Sequence, residues 1–420
     1  MDHPGPVGNL LEPSLPLSLP LSLPLPLEVN SVVNREHVVL GERRGEETDE
    51  DERVAEKRDE RRRQETSKRM AMAVGVIGGG AWGTALAMHA ARGGHPTTLW
   101  ARETEVVDSI NQERENKVFL EGYKVPDNMK ATSNLSECLA QSQLVLMVVP
   151  TQFVKGVMAG IAGEIREDHI FVCCAKGIHT ETLETVNEIM ESVMPESVHH
   201  RFAYLSGPSF AKDVAEGCYT AVTVAAKDES VAKQVQEQLS TPRFRCYRST
   251  DVVGVELGGA LKNVLAIACG ICDGLKFGDN ARAALITRGL SEITRLAVAK
   301  GANPLTLGGL SGMGDLVLTC TGDLSRNRTV GIKIGQGQKL SEILASTNTV
   351  AEGVYTCRAA YNLAKKENVD VPMIEGIFKI LNEDADPEEV VHKCMTRELK
   401  EEVAKEVMDA AAEAAMEANG

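Results

Sequence analysis

The stretch "AVGVIGGGAWGTALAMHAARGGH", residues 73–95, constrains this chain more than any other. An apolar run from Val74 to Ile77 leads straight into Gly78, Gly80 and Gly83, which open a segment of small and apolar residues of helical length. Glycines in GxGxxG spacing between a strand and a helix have separate duties. The first permits a tight turn, the second lets an anion approach the backbone, and the third lets the helix pack on the strand. The helix N-terminus then offers unsatisfied N–H groups to that anion. The spacing implies a dinucleotide pyrophosphate site at the start of a doubly wound sheet.

The pattern downstream agrees. Short apolar runs "TTLW", "LVLMVV", "IFVCCA" and "FAYLS" alternate with amphipathic stretches of helical length, the mark of a parallel α/β sheet. "TAVTVAA" and "RFRCY" read as further strands closing this part near Ser249, and beyond Asp251 the chain reads as helices joined by Gly-rich turns. The predicted architecture is α/β: an N-terminal Rossmann-type doubly wound parallel sheet over 71–250, then an all-helical C-terminal domain over 251–420. Residues 1–70 are a different material. "PSLPLSLPLSLPLPLE" has proline too often for a helix or a central strand, and "GERRGEETDEDERVAEKRDERRRQETSKR" is almost entirely charge. That composition predicts a disordered extension, with Met70 or Met72 as an alternative start.

A net charge of -15 argues against a nucleic-acid-binding body, yet leaves room for a local basic pocket holding a small anion. No run of 18 apolar residues is free of charges and breakers, so no membrane span is expected. Ten cysteines lack framework spacing, which is the usage of reduced thiols and a cytoplasmic protein. Transit peptides are acid-poor and the extension is not; were it an address, a plastid or another organelle would be the destination. "CGIC", Cys269 to Cys272, has redox spacing but sits in an apolar helix with no strand before it. Both cysteines read as small core residues, and no metal site is expected.

In such sheets ligands gather just past the strand C-termini. The residues falling there are Arg102 and Glu103 after "TTLW", Pro150 in "VVPTQ", Lys176 in "CAKGI", and Gly207, Ser209 and Ala211 in "LSGPSFAKDV". Arg102 suits a 2′-phosphate or adenine stacking and Glu103 suits ribose hydroxyls, so both NAD and NADP remain open.

In the helical part, "VELGGALKNVLAIACG" sets Lys262 on one face with Gly258, Gly259 and Ala266. Either another backbone packs very close there, or the face borders a cavity; the bland alternative is a lysine snorkelling at a packed helix edge. "GMGDLVLTC" places Asp315 on a Gly-Met-Gly turn, where it can pair with an ammonium or a substrate hydroxyl. "LSRNR" offers Ser325, Arg326, Asn327 and Arg328 at a helix start, a setting in which a phosphate gains charge-assisted hydrogen bonds. Ser325 serves equally well as an N-cap.

These stretches, with "GGGAWGTALA", "AKGI", "SGPSFA" and "VAEG", closely resemble the NAD(P)-dependent glycerol-3-phosphate dehydrogenases, from about Val74 to about Pro372. The resemblance implies reversible hydride transfer between sn-glycerol 3-phosphate and dihydroxyacetone phosphate, in a homodimer using NAD or NADP. It assigns the proton acceptor and donor to Lys262. Substrate contacts would come from Lys176, Gly207, Ser209, Asp315, Ser325, Arg326 and Asn327. Ala81, Trp82, Arg102, Lys176, Ala211, Arg326, Val350 and Glu352 match cofactor-contacting positions. The family often has Ser or Thr where Ala81 stands, so only backbone contacts are expected there.

The chemistry fits such a lysine. To take and return a hydroxyl proton its pKa must be drawn below about 10.4 by burial and nearby cations. The small neighbours of Lys262 would then mark a cavity for the substrate's carbon chain, with Asp315 and Lys176 next in line as proton carriers. Two rivals stand beside this reading. Another β-hydroxyacid-type dehydrogenase shares the two-part plan and the lysine, but its carboxylate substrates ask for anchors other than "SRNR" and "GMGDL". A non-catalytic dinucleotide-sensing protein would need neither the lysine nor the anion site.

Overall fold

The computed structural model describes residues 71–346, 351–399 and 401–417. Eight strands form one sheet: β1 (Val74–Ile77), β2 (Thr97–Trp100), β3 (Met129–Thr132), β4 (Leu144–Met147), β5 (Ile170–Cys173), β6 (Phe202–Ser206), β7 (Thr220–Ala225) and β8 (Phe244–Ser249). Their spatial order is β8-β7-β6-β5-β4-β1-β2-β3. The order reverses between β1 and β4, and sheets of this kind bind ligands beyond the strand C-termini at such a reversal. A short hairpin, Glu115–Asn116 with Leu120–Lys124, stands apart from the sheet.

The sheet departs from the all-parallel expectation at one joint, where β6 and β7 run antiparallel with Leu205 opposite Val224. The connection explains it. Between these strands the only helix is Ala211–Glu216, six residues long. Such a helix spans about 9 Å, whereas a parallel return past the five-residue β6 must cover roughly 17 Å.

Both faces of the sheet are covered. Leu144 and Leu146 pack with Val74, Val76 and Leu99 on one side, while Val145 and Met147 join Ile77, Phe171 and Cys173 on the other. Strands buried on both faces read as continuous apolar runs, which is why "LVLMVV" stands out in the sequence. Helix α1 (Ala81–Arg92) follows β1, and α2 (Thr151–Ile161) follows β4.

From Val252 onward the described residues contain helices and no strand. Helix α3 (Val252–Gly274) is the axis, with α4 (Asp279–Ala299), α5 (Asp315–Thr321), α6 (Arg326–Gly335), α7 (Glu352–Lys366) and α8 (Pro372–Glu383) packed around it. By length and composition α3 could cross a membrane, but 89% of its most apolar stretch is buried inside the protein. It is a core helix.

Its tightest neighbour is α6. A Cβ on Gly270 would lie 2.9 Å from the Gly331 Cα, and one on Gly274 would lie 2.9 Å from the Gly335 Cα. Four-residue spacing puts each glycine pair on one face of its helix, so the two backbones touch. This also accounts for "CGIC": Cys269 and Cys272 are free, buried thiols flanking the crossing residue Gly270.

Candidate active site

Lys262 is 7% exposed, too deep for a snorkelling side chain. Its Nζ donates to Asp315 Oδ1 at 2.6 Å and to Thr319 Oγ1 at 2.8 Å. The second oxygen of Asp315 accepts from Lys176 Nζ at 2.8 Å, and Lys176 also donates to the Gly207 carbonyl at 2.9 Å. One buried carboxylate thus holds two ammoniums, one from the loop after β5 and one from α3.

Asp315 is not a turn residue. The Gly-Met-Gly segment belongs to a single π-helical turn, Leu310–Gly314, that continues into α5 with Asp315 as its first residue. That turn presses on α3: a Cβ on Gly258 would lie 2.7 Å from the Ser311 carbonyl oxygen. A Cβ on Gly259 would lie 2.3 Å from Ser206 Oγ and 3.6 Å from the Lys176 side chain. Close approach, rather than a cavity, therefore explains the small residues beside Lys262. They let the π-helical turn and the end of β6 come in far enough to deliver Asp315 and Lys176 to its ammonium.

Burial draws the Lys262 pKa down to about 8; the Asp315 charge opposes this and the Lys176 charge adds to it. For Asp315, burial pushes upward, but the two lysines more than offset it and hold the carboxyl below its ordinary range. The site is therefore an anion clamped between two cations, one of which titrates near neutral pH.

The "SRNR" segment divides its labour. Ser325 Oγ accepts from Arg328 N at 3.2 Å, the N-cap of α6. Asn327 donates to Asn263 Oδ1 at 2.9 Å and accepts from Gly353 N at 3.0 Å, joining α6, α3 and α7. Asn263 in turn reaches the Lys176 carbonyl at 3.5 Å. Arg328 is bound to Asp273 at 2.8 Å and Asp323 at 2.9 Å. Arg326 alone of the two arginines is uncommitted: it is exposed, with no hydrogen bond or ion pair to another described residue. Its charge stands beside Glu352, whose carboxyl is raised by burial despite Arg326 and a hydrogen bond from the Thr151 N–H.

The glycine turn has the shape its spacing implies. Gly78 adopts φ +131°, and a Cβ there would lie 2.9 Å from the Val148 backbone. A Cβ on Gly83 would lie 1.9 Å from the Gly78 carbonyl oxygen, whereas nothing lies within 4 Å of one built on Gly80. Gly80 is also the N-cap of α1 and supplies no side chain to its first-turn N–H groups. Close by, Trp82 Nε1 is buried without a partner. An open backbone cradle, uncapped N–H groups and an orphaned donor fit a dinucleotide.

Arg102, Pro150, Gly207, Ser209 and Ala211 lie just past strand C-termini. Arg102 follows β2 and pairs with Glu103 at 2.8 Å. Pro150 stands at the uncapped start of α2, and Ala211 opens the helix after β6. Ser209 Oγ donates to the Gly207 carbonyl at 3.1 Å. Gly207 itself has φ +144°, and a Cβ there would lie 2.9 Å from the Val222 Cα. Val350 lies outside the described residues.

Comparison with known proteins identifies what this geometry belongs to. Residues 73–232 match the family model for the N-terminus of NAD-dependent glycerol-3-phosphate dehydrogenase, and residues 251–392 match that for its C-terminus. A protein of Citrifermentans bemidjiense named glycerol-3-phosphate dehydrogenase (NAD(P)+) is 54% identical over 333 residues, 79% of this chain and 99% of its own length. This chain belongs to the NAD-dependent glycerol-3-phosphate dehydrogenase family. The crystal structure of the glycerol-3-phosphate dehydrogenase of Coxiella burnetii is 38% identical, with a TM-score of 0.74 over 78% of this chain and 99% of that one. A D-mandelate dehydrogenase, at 15% identity and a TM-score of 0.51, shares the fold alone.

Within this glycerol-3-phosphate dehydrogenase site, sequence reasoning missed three residues. Thr319 stands four positions after Asp315 on α5, close enough for its hydroxyl to donate to the Asp315 carbonyl at 2.7 Å while receiving Lys262. Asn263 follows Lys262 directly. Asn116, in the hairpin, donates to the Gly79 carbonyl at 2.8 Å and fixes the glycine turn. The first two were findable as polar neighbours of named residues. Asn116 carried no local signal.

Proposed function

We propose that this chain interconverts sn-glycerol 3-phosphate and dihydroxyacetone phosphate with NAD or NADP, and that Lys262 carries the proton. The observation that bears most weight is a buried lysine with a pKa of about 8, bonded to Asp315 in the same fold as the open glycine cradle. A group titrating near the working pH serves in both directions. When bound, the nicotinamide supplies or takes up the hydride. In reduction, Lys262 Nζ donates its proton to the ketone oxygen as charge develops there. In oxidation the neutral amine takes the hydroxyl proton. Asp315 keeps that amine aimed, and the Lys176 charge favours negative charge developing on the substrate oxygen. Arg326, uncommitted at the start of α6, is the anchor for the phosphate. The Gly78–Gly83 turn, Trp82 and Arg102 hold the dinucleotide.

The test is loss of the NADH absorbance band with dihydroxyacetone phosphate, with NADPH run in parallel. Lys262→Met keeps the stem and removes the charge. Turnover should fall about 10²- to 10⁴-fold while the fold and NADH binding persist. Near-normal turnover in that variant would reject Lys262 as the proton carrier.

Two further readings accompany this one. We take the active species to be a homodimer, on the family resemblance, with sedimentation equilibrium as the check. We place it in the cytoplasm, on its reduced-type cysteine usage, and imaging of a fluorescent fusion carrying residues 1–70 tests that.

A further inference from the structure

Lys176 sits near the start of residues 174–185, which form neither helix nor strand. Backbone bonds tie Cys174 to the Met147 carbonyl and close a turn between His179 and Glu184, and side chains fix the stretch around Lys176 between them. Gln152 grips its middle, donating to the Ile178 carbonyl at 2.9 Å and accepting from Thr180 N at 3.0 Å. Asn263 reaches its beginning. Near its end Leu183 is held at φ +61°, a conformation that costs a bulky residue about 1–2 kcal/mol, in a turn closed by its N–H to the His179 carbonyl and by the His179 N–H to the Glu184 carbonyl, both at 3.0 Å.

The helix that the loop runs into is tied to the helical part at two points, by Lys300 pairing with Glu188 at 2.9 Å and by Glu256 on α3. Its Oε1 accepts from the Asn187 backbone N–H at 2.9 Å, in the first turn of the helix Val186–Val193 that the loop runs into. The Asn187 side chain accepts from the Tyr204 hydroxyl at 2.9 Å, and Tyr204 is 3% exposed on β6. Three pieces of chain therefore meet at Asn187. Each carries part of the site: α3 bears Lys262, the loop bears Lys176, and β6 ends at the Gly207 carbonyl that receives Lys176.

We propose that Glu256 is a positioning residue which, through Asn187 and Tyr204, sets the Lys176 loop and β6 against α3 so that both lysines meet Asp315. The inference rests on the reaction proposed above. Glu256 lies six residues before Lys262, about 9 Å along a rigid helix, and bonds to none of Lys176, Lys262 and Asp315. It acts by holding register, and small misplacements of such groups cost up to about 10²-fold in rate. Its other oxygen, Oε2, is buried beside the Thr185 side chain, and burial raises the carboxyl to about 8. A carboxyl that is mostly neutral at pH 7 is matched by an amide, so Glu256→Gln keeps both the acceptor facing Asn187 and the charge of the site.

The experiment measures reduction of dihydroxyacetone phosphate by the full chain. An inactive unmutated protein would sink the proposed function and is told apart at once from failure of the present inference. With an active protein, Glu256→Ala should lower kcat about 10- to 100-fold with the KM for NADH unchanged, and Glu256→Gln should stay near the unmutated rate. Tyr204→Phe should lower kcat in the same direction by less. The double variant with Glu256→Ala should lose less than the product of the two effects, because both act through Asn187. Normal kcat in Glu256→Ala, whatever its Tm, overturns the proposal. So does a Gln variant as damaged as the Ala variant, or a KM for NADH that rises alongside the loss. If Glu256→Ala does not fold, Tyr204→Phe decides, and an unchanged kcat there is equally fatal.

Discussion

Replacing Asp315 by asparagine keeps the shape of the site and removes the negative charge that holds both lysines. Lys262 titrates at about 8 because burial lowers its pKa, the Asp315 charge at 2.6 Å raises it, and Lys176 lowers it again. Without the carboxylate the two lowering influences act unopposed. An opposite charge at this range is worth about 1–3 pH units, so the Lys262 pKa should fall to roughly 5–7. The consequences have opposite signs in the two directions. Reduction needs the ammonium, so its kcat should start to fall at a lower pH; for a new pKa of about 6, the protonated fraction at about pH 7.5 drops roughly 25-fold. Oxidation needs the neutral amine, so its rising limb should move to lower pH and the variant should lose least there in mild acid. Removing one partner of a buried ion cluster also costs about 3–5 kcal/mol, so profiles belong well below a Tm measured on the same sample. A falling limb for reduction that stays where the unmutated protein has it refutes the argument, since the titrating group would then not be the one Asp315 holds.

Arg326→Ala and Arg328→Ala should separate although they are two residues apart. The first raises the KM for dihydroxyacetone phosphate with little change in Tm; the second, by releasing Asp273 and Asp323, lowers Tm with a smaller effect on KM. Gly331→Val should be severe, because a Cβ there would lie 2.1 Å from the Ile267 carbonyl oxygen. A Tm loss equivalent to about 1–3 kcal/mol or more, with a raised KM for the phosphate substrate, is expected from kinetics and thermal melts. Arg102→Ala should weaken NADPH more than NADH in fluorescence titrations, since only the former offers a 2′-phosphate; equal weakening would limit the arginine to adenine stacking.

Much of this was legible in the sequence for identifiable reasons. Doubly buried strands such as "LVLMVV" advertise themselves, and glycines at φ +131° or +144° have no substitute. β3 did not show, because "MKAT" carries only two apolar side chains. The antiparallel joint at β6 and β7 followed from a connecting helix whose shortness has no sequence mark. Lys262 stood out as a charge among small residues, but the reason for those residues was misjudged. One chain alone does not reveal that Gly258 faces the Ser311 carbonyl, because that contact spans distant positions. The motif "SRNR" likewise looked like four ligands in a row. Only the fold shows that a cap and a stitch occupy two of them and a salt bridge a third.

The glycine crossing between α3 and α6 makes the enzyme a caliper. One jaw is Lys262 on α3 and the other is Arg326, at the start of α6. Helices separated by large side chains can slide by fractions of an ångström as those side chains change rotamer. Here Gly270 and Gly274 lie directly on Gly331 and Gly335, so there is no layer of side chains to yield. On the roles proposed for Lys262 and Arg326, the gap between proton and phosphate is then held at one length. A phosphorylated ketone longer by one methylene would then have to buckle or leave one jaw empty, so chain-length discrimination would come from bare backbone.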